Sequence, residues 1–349
     1  MIRSFRSCFG LLAVATLSTS VAYGQESQLP VSRTVGVIDV SLPVNQTTLM
    51  AIPLVEIVAS GTVTAVSGTT YTLSSSPSVL PNVMITPHAI KITSRVDQRG
   101  SGANAPAGAS TNSYGLSAQI TAQSGQDVTA ALATAPNVGD EFIVYQLETI
   151  GSIFGAANTA GLLGGSTSGA ADILYLENGG ALTAYFYKSG GLGGIGWRLE
   201  SAPTGSNQDN VVVGVDKGIL VLRKSGGSPV SIRFTGDSIV GNEKPAVVSG
   251  FNIVNNPYSV AATLDSSMLK DFVTGASTSG SADIVYLENA GVLEAYFFKN
   301  GGLGGTGWRL VSNPTGANQG AVSLLPGKAI LFREQAGTAS FTLTEPFAE

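Results

Sequence analysis

A segment of 45 residues occurs twice in this chain, and no other feature restricts its fold so strongly. Residues 164–208 match residues 275–319 at 33 of 45 positions, and every aligned residue lies 111 positions further on, as Trp308 does from Trp197. The first copy reads Ala171-Asp172-Ile173-Leu174-Tyr175-Leu176-Glu177-Asn178, then Leu182-Thr183-Ala184-Tyr185-Phe186, then Gly191-Leu192-Gly193-Gly194-Ile195-Gly196-Trp197-Arg198-Leu199. Short apolar runs broken by glycine clusters suit strands and tight turns rather than helices. The repeat therefore predicts an all-β chain, with duplicated antiparallel sheet units forming a sandwich or barrel and few short helices. A solenoid is a weaker expectation, because stacked repeats normally number three or more.

The flanking sequence suggests an N-terminal β region at 25–150, a first β repeat at 151–240 and a second at 241–349. In the N-terminal region, Ser67-Gly68-Thr69 separates two alternating runs and reads as a hairpin turn. A strand is expected over 83–93, and Pro87 within it points to an edge or a bulge, since proline has no N–H to give the ladder. Residues 95–115 hold little that could be buried and read as a mobile loop. Asn178-Gly179 reads as the centre of a type I′ turn. Only 126–135 and 260–272 carry any helical character.

The first 24 residues read as a secretory signal. Arg3 and Arg6 precede an apolar stretch at 8–17, and Ala22-Tyr23-Gly24 supplies small residues before Gln25. Removal of this segment would take away Cys8, the only cysteine, and two of 18 basic residues, moving the formal net charge from −5 to −7. The remaining chain would then hold no disulfide and no thiolate chemistry. No later apolar run is long enough for a transmembrane helix, so no transmembrane segment is expected once the signal is gone. A mildly acidic chain without a basic cluster is not expected to bind nucleic acid, which needs many Lys and Arg on one face.

Several motifs invite a chemical reading. Gly191-Leu192-Gly193-Gly194-Ile195-Gly196 and its copy at 302–307 fit the G-x-G-x-x-G pattern, but a dinucleotide site needs that loop to open a helix. Here it leads into Trp-Arg-Leu, a strand pattern, so no cofactor is expected. Trp197 and Trp308 read either as ring platforms for a sugar or as core residues, with the core reading preferred. Asp172 and Asp283 open apolar strands, and counting through the hairpins sets them near Arg198 and Arg309, as structural ion pairs or as ligand-facing acids. Glu177 and Glu288 lie five residues from these aspartates, hence on the other strand face, which weakens a two-carboxylate glycosidase. His88 is the only histidine, and no Ser-His-Asp signature surrounds it. With no cysteine and one histidine, a zinc or iron site of the usual kind lacks ligands; calcium through Asp and backbone oxygens stays open, and no metal-ligating residue is assigned.

The combination of a signal segment, Gly139-Asp140-Glu141-Phe142, Ala-Asp-x-x-Tyr at 171–175 and 282–286, and Gly-Trp-Arg at 196–198 and 307–309 resembles a family of exported bacterial proteins without assigned activity. The resemblance implies export and nothing catalytic. Together these features point to a secreted or cell-surface protein, in the periplasm, on the outer surface or outside the cell. Its expected role is structural, adhesive or ligand-binding rather than enzymatic. The alternatives are a carbohydrate-binding module using Trp197 and Trp308, and more remotely a hydrolase using Asp172 or Asp283. Candidate binding residues are thus Trp197, Trp308, Arg198, Arg309, Asp172 and Asp283, with a glycan or a cell-surface component as partner.

Overall fold

The computed structural model describes residues 35–74, 86–94, 113–239, 241–335 and 342–343. The expected signal segment and residues 95–112 of the expected mobile loop lie outside the described residues. The rest of that loop is ordered: Ser113 is buried and donates to Asp140 Oδ2 at 3.0 Å.

The fold is all-β. The chain opens with β1 (Val35–Leu42), β2 (Thr47–Met50) and β3 (Leu54–Val55). Next come β4 (Ile57–Ser67), β5 (Thr70–Leu73), β6 (His88–Ser94), β7 (Ser117–Ser124), β8 (Asp127–Ala130) and β9 (Glu141–Gln146). These six close a barrel in the order β4-β5-β8-β7-β6-β9 around Val63, Tyr71, Ile90, Val128 and Phe142. A one-and-a-half-turn helix, α1 (Ile150–Phe154), follows, with Thr149 and Ser152 forming a reciprocal capping box.

The first repeat then supplies β10 (Ile173–Asn178), β11 (Ala181–Lys188), β12 (Gly196–Leu199), β13 (Ile219–Leu222) and β14 (Val230–Ser238). The second supplies β15 (Gly250–Val254), β16 (Ala262–Thr263), β17 (Ile284–Asn289), β18 (Val292–Lys299), β19 (Gly307–Leu310), β20 (Ser323–Leu324) and β21 (Ile330–Glu334).

Strand pairing redraws the division expected at 150/151. Strands β1 and β3 flank β14 in a three-stranded sheet, and β2 completes the five-stranded sheet β12-β11-β10-β13-β2. Residues before the barrel thus belong to the first repeat unit, and the barrel is an insertion within that unit. In the second unit the sheet β15-β21-β17-β18-β19 has the same plan, and β15 takes the place of β2. Met50 faces Ile219 and Val254 faces Ile330, so the equivalence carries over residue by residue. The local segments share almost no identity beyond Pro53 and Pro257, which is why the repeat is not visible there.

Both units bury the same positions. Leu174, Leu176, Tyr185, Trp197, Ile219 and Met50 in the first core correspond to Val285, Leu287, Tyr296, Trp308, Ile330 and Val254 in the second. Alternate residues on the central strands face the other way. Leu49, Ala51 and Leu220 there meet Ile253, Ala329 and Leu331 in a third core between the units. Reciprocal backbone bonds tie the junction: Thr47 N donates to Gly291 O at 3.1 Å and Phe251 N to Gly180 O at 2.8 Å, while Ala51 N donates to Gly327 O and Asn255 N to Asp216 O, both at 2.9 Å. Each contact appears twice with roles exchanged, the mark of a two-fold relation.

Three local expectations change. Residues 126–135 hold strand β8 and turns, and 260–272 hold β16, a turn and a 3-10 turn at Leu269–Asp271. The β10–β11 turn is centred on Gly179-Gly180, both with positive φ, one residue later than Asn178-Gly179. Strand β6 is internal to the barrel, paired with β7 and β9, and Pro87 precedes it, where no ladder N–H is required. Among the described residues, no helix is long and apolar enough to cross a membrane.

Candidate functional site

The conserved geometry of the two copies is concentrated in the loop between β11 and β12 and its counterpart between β18 and β19. In the first copy Lys188 and Arg198, both buried, reach under the loop and donate to its carbonyls. Lys188 Nζ bonds Leu192 O, and Pro203 O at 3.0 Å. Arg198 Nη2 bonds Gly193 O at 2.9 Å and Ile195 O at 3.2 Å, while Nη1 bonds Trp197 O at 2.9 Å. The second copy repeats this with Lys299 on Leu303 O and Pro314 O, and Arg309 on Gly304 O and Trp308 O. Charged donors to carbonyl oxygens make strong bonds. They turn a glycine-rich loop into a fixed one.

Two glycines in each loop are required by space as well as by φ. A Cβ on Gly193, at φ +93°, would lie 2.7 Å from Thr204 Cα, and one on Gly196, at φ +135°, would lie 2.9 Å from Asn207 Oδ1. The loop enters a strand and not a helix, so it lacks the N-terminal amides that a pyrophosphate would need. What it presents instead is a side chain. Leu192 is 83% exposed and Leu303 82%, each standing at the loop tip.

The sequence-predicted residues are brought into this region but in different roles. Trp197 and Trp308 are fully buried beneath the loops and offer no ring face to a sugar. Trp197 packs edge-on against Tyr187 at 5.4 Å and donates from Nε1 to Gly155 O at 2.9 Å. Trp308 packs against Phe298 at 5.6 Å, and its Nε1 has no acceptor among the described residues.

The expected Asp172–Arg198 pair does not form. Ile173, not Asp172, stands opposite Phe186, and Phe186 stands opposite Arg198. A register slip of one residue moves a side chain to the other face, so Asp172 and Arg198 lie on opposite faces. Asp172 instead pairs with Arg223, Oδ2 to Nε at 2.7 Å, with both side chains fully buried. Its oxygens also accept from Leu163 N and Lys224 N. Arg223 continues to Leu42 O and Ser228 O, tying β1 and β13 together. Asp283 likewise accepts from Thr274 N and Gln335 N, away from Arg309. Neither acid faces solvent. His88 is buried as well, and that burial pushes its imidazole below the usual range.

A second cluster was not anticipated, because its members are far apart in sequence. Lys91 on β6, Asp216 in the turn before β13 and Glu243 in the segment before β15 converge where the barrel meets the two units. Lys91 and Glu243 form a buried ion pair. Burial raises the Glu243 carboxyl to about 8 and raises Asp216 as well, the nearby Lys91 opposing both shifts. Burial also holds the Tyr145 phenol well above its usual value. Comparison with known proteins finds no matching family model, curated protein or solved structure.

Proposed function

We propose that this is an exported, non-enzymatic β protein with a structural or adhesive role, and that its two leucine tips are the surface it presents to an apolar component of the cell surface. The observation that carries this reading is the duplicated loop: two copies spend a buried lysine, a buried arginine and a run of glycines on holding one exposed leucine in place. Loops on a rigid scaffold commonly carry recognition. Exposed leucine favours an apolar partner over a glycan, which would call for exposed aromatic rings and hydrogen-bonding side chains. The acids proposed for hydrolysis, Asp172 and Asp283, are held by backbone and arginine contacts, which argues against their use in catalysis. Export is argued from the series at 1–24 and from the resemblance to exported bacterial proteins.

The test is fractionation of an exporting bacterial host that expresses the full chain. The mature protein is expected outside the cytoplasm with Gln25 at its N-terminus, held on the cell envelope. The double variant Leu192→Ser/Leu303→Ser should be exported equally, keep its near-ultraviolet circular dichroism and leave the envelope for the soluble fraction. An uncleaved cytoplasmic chain would refute export, and unchanged envelope retention in the double variant would refute the tips.

A further inference from the structure

Lys91, Glu243 and Asp216 bring one amine and two carboxyl groups together, with Lys217 beside Asp216. Lys91 and Glu243 have side-chain exposures of 0% and 3%, and Lys91 Nζ contacts Glu243 Oε1. The walls are apolar: Val55, Ala89, Ile143, Tyr145 and Ile239 form the core between the barrel and the first unit. Asp216 adopts a left-handed backbone conformation, φ 56°, and its carbonyl is pinned by Asn255 N. Its carboxyl faces both Lys91 and Glu243. Asp216 also lines a small crevice with Tyr145, Leu147 and Asn255. The result is an amine and a carboxylic acid buried together, with a second, half-buried carboxyl group beside them.

We propose that Lys91 and Glu243 condense without an added catalyst into a side-chain amide that staples the barrel to the segment joining the two repeat units. The Asp216 carboxylate takes one proton from the Lys91 ammonium. The free amine attacks Cδ of the protonated Glu243 carboxyl, forming the N–C bond. Asp216 returns its proton to the hydroxyl, which departs as water when the C–O bond breaks, and it takes up the second N–H proton. The products are one amide, one water and Asp216 as a neutral acid, so atoms and charge balance with no co-reactant. Pre-positioned groups reach effective concentrations of about 10⁵–10⁸ M. Burial disfavours the ion pair that would otherwise remain, because two desolvated charges are stabilised only partly by each other.

The two other lysine–glutamate pairs among the described residues, Lys217–Glu177 and Lys328–Glu288, are internal controls. Their lysine side chains are 15% and 28% exposed, so water reaches them and keeps them ionic.

Intact mass spectrometry of the purified mature protein under denaturing conditions tests the proposal. The wild type should be lighter than its sequence by the mass of one water, and peptide mapping should join the Lys91 peptide to the Glu243 peptide. Asp216→Asn, which leaves both reacting groups in place, should carry its full sequence mass. A wild type at full sequence mass overturns the proposal, as does a water loss mapped to another pair, Lys328–Glu288 included. Condensation undiminished in Asp216→Asn overturns the assigned proton transfer. The wild-type mass is readable whether or not any variant folds.

Discussion

The two tryptophans show how equivalent residues acquire unequal surroundings. Trp197 finds its acceptor, Gly155 O, at the end of α1. The second unit has no such helix, because residues at the equivalent place form β16, and the Trp308 N–H has no acceptor among the described residues. A buried donor left without a partner costs about 1–3 kcal/mol. Replacing Trp308 by Phe removes that donor together with some packing, whereas Trp197→Phe removes a satisfied bond and leaves Gly155 O with Asn158 N as its donor. Urea unfolding should therefore find Trp197→Phe the more destabilising by about 1–3 kcal/mol. Equal losses would mean that the indole N–H matters in neither copy. The burial of both rings was legible from their size and their glycine neighbours. The helix that separates them was not, since its five residues carry only a capping box as signal.

Among the elements, the β10–β11 hairpin separates a glycine needed for its backbone from one needed for space. At Gly179 an added Cβ meets nothing, and the second copy already carries Ala290 there at φ 49°. At Gly180, φ +83°, the Cβ would come within 2.0 Å of Ser249 O. Gly179→Ala should cost about 1 kcal/mol for the left-handed backbone. Gly180→Ala should cost roughly 1–3 kcal/mol more, because the junction with the second unit must also move. Thermal melts of the two variants measure the difference, and equal melting temperatures would refute the close approach. Hairpins, glycine loops and most repeat strands were readable from local pattern. The partner of Asp172 was not, because hairpin counting was one residue out and the true partner, Arg223, lies beyond the copied segment.

For the molecule as a whole, the buried cluster links pH to stability. Glu243 is faced by Lys91 from β6, Tyr145 from β9 and Asp216 from the turn before β13, and Asp216 is faced in turn by Ser117 from β7 and by Lys217. Its ordinary value is 4.5, and burial raises it in the folded chain to about 8. While the carboxyl is free, the folded state holds a proton that the unfolded state releases across this window. Stability from this group is then full below pH 4.5 and declines as pH rises to about 8. Burial, the largest cause, survives in Asp216→Asn, so that variant should melt lower at pH 8 than at pH 5. The condensed wild type lacks the carboxyl and should show a flatter profile. Matching slopes in both proteins would contradict this. None of these partners was legible in sequence: Lys91 and Glu243 are 152 positions apart, and no periodic pattern reports such a distance.

The barrel leaves and re-enters its host at one place. Gln146 N donates to Glu56 O at 3.0 Å, so the two ends of the inserted piece are already neighbours. Closing a chain whose ends touch needs only a short connection, and lengthening such a connection costs little entropy. An ancestral gene could acquire or shed this module in a single step without rethreading anything around it, and the leaner second half is what the first would look like before the acquisition.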